Sequence, residues 1–211
     1  YTIYVSVPVV VPTGIMTVNV SCYVGSNGSA KRAVTGGIMP YTFAWSTLAT
    51  SEYVTGVSTC YYGVTITDNN SCSVIDSIFI SEPTLLTSPL VKTDVTCNGG
   101  GDGTAAATPS GGTPPYLYLW NIGQTDSLVI GLFAGTYTVN VTDALGCLSS
   151  GLVTITQPTA LAASISSTTD VICNGASTGS ATVVSTDGSP PYTYLWDDLG
   201  AQSNEIGIAH V

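Results

Sequence analysis

Residues 135–143, GTYTVNVTD, alternate without a break: Tyr137, Val139 and Val141 fall on one side, Thr138, Asn140 and Thr142 on the other. A period of two marks a strand with one face buried and one in water. The same reading places a small-residue strand over 103–110 and another over 116–121, YLYLWN, with Tyr116, Tyr118 and Trp120 on one face. Further strands are expected over 126–131 and 152–158, and one over 85–95 that Pro89 confines to a sheet edge. GGTPP (111–115) and ALG (144–146) are turns by their glycine and proline chemistry. No segment carries a helical period. Short alternating strands separated by frequent turns predict an all-β chain, an Ig-like antiparallel β-sandwich without significant helix.

The pattern repeats. GIMPYTFAW (37–45), GGTPPYLYLW (111–120) and GSPPYTYLW (188–196) share their glycine, Pro-Tyr and Trp positions. A step of 75 carries Cys22 to Cys97, Gly28 to Gly103, Trp45 to Trp120, Gly56 to Gly131, Asp68 to Asp143 and Cys72 to Cys147. A step of 76 then carries Cys97 to Cys173 and Trp120 to Trp196. Self-similarity at a fixed period is the mark of a repeat architecture. The phase predicts tandem sandwiches of about 75 residues, each near the lower size at which a domain holds its own core. Residues 1–8 are expected to be the last strand of a preceding copy. Residues 9–83 and 84–158 are expected to be whole copies, and 159–211 the N-terminal part of a truncated one.

Within that frame the aromatic residues Tyr41, Trp45, Tyr116, Trp120, Tyr192 and Trp196 read as core, because they recur in phase with every other core position. An exposed strip of the same residues would instead be a sugar platform. The cysteines repeat as well: Cys22 and Cys72 bracket copy one, and Cys97 and Cys147 bracket copy two. Equal spacing predicts one bridge per copy, in an oxidising extracellular setting. An even number of strands between Cys97 and Cys147 would return an antiparallel chain to the end where it began. Closing such a loop contributes about 4 kcal/mol on the chain-entropy model. Pairing of neighbours, Cys72 with Cys97 and Cys147 with Cys173, is left open by the spacing. Cys60 stands where copy two has Gly135, so it is outside the repeating set.

Composition narrows the chemistry. Charged residues make up 8% of the chain, the net charge is −10, and Lys31, Arg32 and Lys92 are the cations. A phosphate-binding surface needs clustered Lys and Arg, so nucleic acid is not an expected partner. The apolar runs, such as VPVVVP, are too short to span a bilayer as a helix. One histidine, His210, leaves too few groups for acid–base or nucleophilic catalysis, and no C-x-x-C pair suggests zinc. No cofactor is expected, with one reservation: Asp68 and Asp143, at strand ends beside turns, are candidate Ca²⁺ ligands. The competing reading makes them Asx-turns. GGGDG (99–103) lacks the Lys-Ser/Thr and the helix of a phosphate loop.

Residues 96–158, TCNGGGDGTAAATPSGGTPPYLYLWNIGQTDSLVIGLFAGTYTVNVTDALGCLSSGLVTITQP, resemble the SprB-type repeat of large surface adhesins in gliding Bacteroidota. Copy three is similar up to Gly207. Copy one departs, with CYVGSNGSAKRAV for the Cys-Asn-Gly-Gly opening and STCYYGVTITD (58–68) for the usual Ala-Gly-Thr-Tyr-Thr-Val. The resemblance implies a very long, exported, filamentous cell-surface protein using the type IX secretion route, and it carries over no catalytic residue. DSI (76–78) and DSL (126–128) match that phylum's short O-glycosylation pattern.

The expected function is therefore a structural and adhesive stalk or filament for surface attachment or gliding, and not an enzyme. Neighbouring repeats of the same chain are its first partners. An alternative is a subunit of a self-assembled extracellular filament or sheath, in which identical chains complete one another by strand pairing. A carbohydrate-binding accessory module, with surface glycans as partners, requires the Trp face to be exposed.

Overall fold

The computed structural model describes residues 9–173, 178–196 and 205–206, all strand, turn or irregular chain with no helix among them. The expected strand over residues 1–8 lies outside the described residues. Copy one holds six strands: β1 (Val11–Val18), β2 (Gly28–Thr35), β3 (Thr42–Trp45), β4 (Tyr53–Val57), β5 (Cys60–Thr67) and β6 (Ser73–Ile80). Copy two holds β7 (Leu90–Thr93), β8 (Gly103–Ala107), β9 (Leu117–Trp120), β10 (Leu128–Leu132), β11 (Gly135–Thr142) and β12 (Leu148–Ile155). Strands β9 to β12 repeat the bounds of β3 to β6 at a step of 75. Beyond them come β13 (Ala162–Thr169), β14 (Ser180–Thr186) and β15 (Glu205–Ile206).

Each copy forms two antiparallel three-stranded sheets, β1-β2-β4 with β3-β5-β6 and β10-β8-β7 with β12-β11-β9; β13-β14-β15 make a further sheet. In copy one Ala30, Val54 and Val57 from one sheet and Trp45, Val64, Ile66, Ile78 and Ile80 from the other form a single buried cluster. The equivalent residues of copy two, Ala105, Val129, Leu132, Trp120, Val139, Val141, Val153 and Ile155, are likewise buried. Alternation sets this arrangement, since every second side chain of β5 and β11 points inward. The fold is thus an all-β series of antiparallel sandwiches.

Two glycines per copy are required by the backbone. Gly56 and Gly131 have φ of 69° and 74° and sit at breaks in the strand register, the position of a bulge. A Cβ on Gly28 would stand 2.8 Å from both Ile80 Cγ2 and the Val57 carbonyl oxygen. On Gly103 it would meet Ile155 and Leu132 at the same distances, so here two sheets approach too closely for any side chain.

Strand direction corrects the expectation about the cysteines. The Ile38 amide donates to Asp68, placing the end of β2 beside the end of β5. Gly28 lies against Val57 and Ile80, placing the start of β2 beside the ends of β4 and β6. Strands β2 and β5 therefore run alike, and β3 and β4, antiparallel to β5 and β2 respectively, both run the other way. Residues 46–52 cross from one sheet to the other at mid-height, between Trp45 opposite Val64 and Tyr53 opposite Lys31, so β3 and β4 together make a single passage and four strands do not return the chain to its starting end. Cys22 and Cys72 stand at opposite ends of the copy, and no bridge joins them.

Contacts divide the chain into two compact units. One comprises Tyr1–Pro89, Pro109–Leu119 and Asn140–Ser150; the other comprises Leu90–Thr108, Trp120–Val139 and Gly151–Val211. The second-copy corner built from 109–119 and 140–150 accordingly belongs with the residues of copy one.

Candidate functional site

The repeated Gly-Pro-Tyr-Trp string builds a corner. In all three copies the bond before the proline is cis: Met39–Pro40, Pro114–Pro115 and Pro190–Pro191. The tyrosine that directly follows that proline donates its hydroxyl back across the turn, to the carbonyl five residues earlier. Tyr41 reaches the Gly36 carbonyl at 2.5 Å, Tyr116 that of Gly111 at 2.7 Å, and Tyr192 that of Asp187 at 2.5 Å. These tyrosines are half-buried locks on the turn rather than full core residues. Trp45 and Trp120 are 3% and 1% exposed, and each indole N–H donates at 2.9 Å to the returning loop, at Ser51 and Asp126. Trp196 is half-buried. Buried indoles at 45 and 120 have no face free to stack on a sugar.

An aspartate closes the corner. Asp68 Oδ2 accepts from the Ile38 amide at 3.0 Å, and its Oδ1 accepts from Asn70 and Cys72 at 2.9 Å each. Asp143 repeats the arrangement with Thr113 at 2.8 Å and Leu145 and Cys147 at 2.9 Å. The Ile38 amide leads in holding the Asp68 carboxyl below its ordinary value of 3.8, and Cys72 and Asn70 assist against the opposing effect of burial. At Asp143 burial pushes upward most, but the amides of Cys147, Thr113, Leu145 and Gly146 together hold the carboxyl below 3.8. Donors of this kind suit an anion. A Ca²⁺ ion needs oxygens around it, whereas each of these carboxylates accepts three backbone N–H bonds, the Asx-turn arrangement. No group of three or more His, Cys, Asp or Glu is placed to hold a metal among the described residues.

Beside the Asp143 corner lies the covalent bond. Cys22 is joined to Cys147, 125 positions further along the sequence, with Cα atoms 5.6 Å apart. This replaces both pairings considered from spacing: Cys72, Cys97 and Cys173 are exposed free thiols, as is Cys60. Sγ of Cys147, which has no proton once bonded, packs 3.2 Å from the Ser21 carbonyl. Both partners belong to the same compact unit. The three cations are each engaged locally, Lys31 with Glu52 at 3.3 Å, Lys92 with Asp94 at 2.7 Å, and Arg32 with Asp76.

Comparison with known proteins agrees with the repetition. The family model described as SprB repeat matches residues 15–50, 90–125 and 165–201, together more than half of the chain. No curated protein matches it in sequence. Among solved structures, the C-terminal 282-residue fragment of intimin, in complex with the intimin-binding domain of its translocated receptor, is 13% identical, with a TM-score of 0.37. The match covers 72% of this chain and 66% of that one. The N-terminal eight Ig domains of Down Syndrome Cell Adhesion Molecule are 14% identical at TM-score 0.37, covering 72% and 25%. Domains 4–9 of the surface layer protein SbsC are 11% identical at TM-score 0.27, covering 95% and 37%. The chain thus spans less than two thirds of the length of each solved chain.

Proposed function

The chain belongs to the SprB repeat family, and from that premise we propose that it is part of the repeating shaft of a long bacterial surface protein. Its role is mechanical and adhesive: to extend, to present, and to resist shear and proteolysis outside the cell. Residues 9–83 and 84–158 act as successive sandwiches of the shaft, and 159–211 open a further one. Export by the type IX route and a part in gliding or attachment follow from the family resemblance. The chain is read as non-catalytic because its buried aspartates are filled by backbone amides and its cations are paired.

The observation that carries this reading is the threefold rebuilding of one corner, with the Tyr41, Tyr116 and Tyr192 hydroxyls in the same role. A chain selected for a site would have one good copy; a chain selected for length has many alike. Electron microscopy of native material in negative stain, before and after reduction, tests it. Single threads beaded at one-domain intervals are the expected result. Ordered fibres of constant diameter with a helical repeat would make the chain a self-assembling filament subunit instead.

A further inference from the structure

Two of the free cysteines, Cys97 and Cys72, occupy the same surroundings as the bonded Cys22 and Cys147. Around Cys22, the Ser21 amide donates to Asn27 at 3.0 Å, Gly25 donates to the Cys22 carbonyl at 3.0 Å, and Val24 donates to Glu82 at 2.7 Å. Around Cys97, Thr96 donates to Asp102 at 3.1 Å, Gly100 to the Cys97 carbonyl at 2.9 Å, and Gly99 to Gln157 at 2.8 Å. The loop holding the free Cys97 is therefore already in the form that holds the bonded Cys22. On the other side, Cys147 and Cys72 each donate their amide at 2.9 Å to the Oδ1 of the corner aspartate four residues earlier. Cys72 and Cys97 are exposed.

We infer that Cys97 and Cys72 are the two halves of the bridge that Cys22 and Cys147 complete. The pairing rule links the opening cysteine of one copy to the closing cysteine of the next copy in line. Under it, Cys97 bonds the closing cysteine of the copy that follows, and Cys72 bonds the opening cysteine of the copy that precedes. Both partner positions, one repeat beyond Cys147 and one repeat before Cys22, fall outside residues 1–211, which accounts for two free thiols in formed half-sites. The Cys22–Cys147 bond is then one rung of a covalent ladder in which every copy is tied to the next. This rule stands whether the array serves as a shaft or in another capacity.

Bond formation removes two protons and two electrons from a pair of thiols, so it needs an oxidant, here a small disulfide such as oxidised glutathione. One cysteine thiolate attacks that disulfide and releases a glutathione thiolate. The second cysteine then attacks the mixed disulfide at the protein sulfur and releases the other glutathione.

Peptide mapping without reduction reads the pairing. In the full chain a linked Cys22–Cys147 peptide is expected, with Cys72 and Cys97 alkylated; a Cys22–Cys72 or Cys97–Cys147 peptide overturns the rule. Replacing residues 208–211 by a second copy of residues 132–158 supplies an in-phase closing cysteine after Gly207. In glutathione buffer Cys97 should then link to that cysteine and become at least ten-fold slower to alkylate. Cys97 left freely reactive, or consumed in disulfide-linked dimers of separate chains, would refute in-line pairing. Cys72→Ser, a change at an exposed position, should leave Cys22–Cys147 intact; release of Cys22 in that variant would also overturn the rule.

Discussion

Copies one and two share a backbone and differ in what fills it. At the inward position of β2, copy one has Arg32 where β8 of copy two has Ala107, and facing it on β6 stands Asp76 where β12 has Gly151. Arg32 and Asp76 pair with side chains 11% and 27% exposed. In copy two the same space takes an aliphatic side chain, since Leu90 Cδ1 lies 2.9 Å from where a Cβ on Gly151 would be. The residue of copy one in phase with Leu90 is Ile15, and it is 55% exposed. An ion pair and a leucine are thus alternative fillings of one slot. What the copies hold in common is the frame: the close-approach glycine, the bulge glycine, the indole, and the corner aspartate. The difference teaches that the frame fixes the fold, and that the filling beside it is open to exchange.

Breaking the frame should have the largest effect. Trp45→Ala and Trp120→Ala each empty a fully enclosed site and free an indole-bonded loop, so each should destabilise its copy by about 4 kcal/mol. Chemical denaturation of the two variants should give similar losses. A loss at only one position would mean that the copies do not share a frame. Changing the filling should cost less. Arg32→Met leaves Asp76 partly enclosed without its partner, for a loss of about 2–3 kcal/mol, below the figure for a fully buried pair because the carboxylate keeps some water. The double change Arg32→Ala with Asp76→Gly installs the residues of copy two and should recover part of that loss. Adding Ile15→Leu should recover more if the leucine turns inward as Leu90 does. If the triple variant is no more stable than Arg32→Met alone, the two fillings are not equivalent.

Acid sharpens the comparison at the corner, where the copies agree. Asp68 and Asp143 are both held below 3.8 when folded. Their contribution to stability is therefore fully present above the unfolded value and disappears as pH falls through the lower folded value. Melting temperature should hold steady down to about pH 4 and drop below it. In Asp143→Asn the amide removes the charge that its three backbone donors require. That variant should melt lower than the parent at neutral pH and change less between pH 7 and pH 3. An unchanged acid limb would exclude the corner carboxylates as its source.

Much of this frame was legible in the residues. Strands β9 and β11 appear as alternation, and the two glycine positions as period-matched exceptions in strands that otherwise carry side chains. The step of 75 made the copies visible without any knowledge of the fold. The pairing of the cysteines was not legible, and the reason is physical. Alternation reports which face a residue takes, a local property, whereas strand direction across two sheets depends on where the loop over residues 46–52 sends the chain. That loop has no strand pattern; its one trace in the sequence is the indole that its backbone caps at Ser51. The start of β12 at Leu148 was likewise missed, because Ser149, Ser150 and Gly151 give little hydrophobic contrast. The Asx-turn of Asp143 was legible from its place at a strand end, whereas its second partner was not: the Thr113 amide comes from a segment 30 residues upstream.

The smallest expected effect lies on the outer face, where the copies differ most visibly. Tyr61 and Phe79 are direct cross-strand partners with ring centroids 4.7 Å apart, and both rings are substantially exposed. In copy two the same pair is Thr136 and Thr154, their hydroxyl oxygens 3.4 Å apart. Aromatic and threonine pairs both stabilise antiparallel strands, by a few tenths to about 1 kcal/mol. Neither pair touches the enclosed core, so exchanging one for the other should leave the frame intact. A double-mutant cycle on Tyr61→Thr and Phe79→Thr should give a coupling of about 0.5–1 kcal/mol, well below either effect on the frame. Placing Tyr and Phe at 136 and 154 should give a coupling of similar size in copy two. A coupling much larger in copy one than in copy two would show that its aromatic pair supports something its neighbour does without. The obvious candidate is the start of β5, where Cys60 replaces Gly135 and pairs with Ile80.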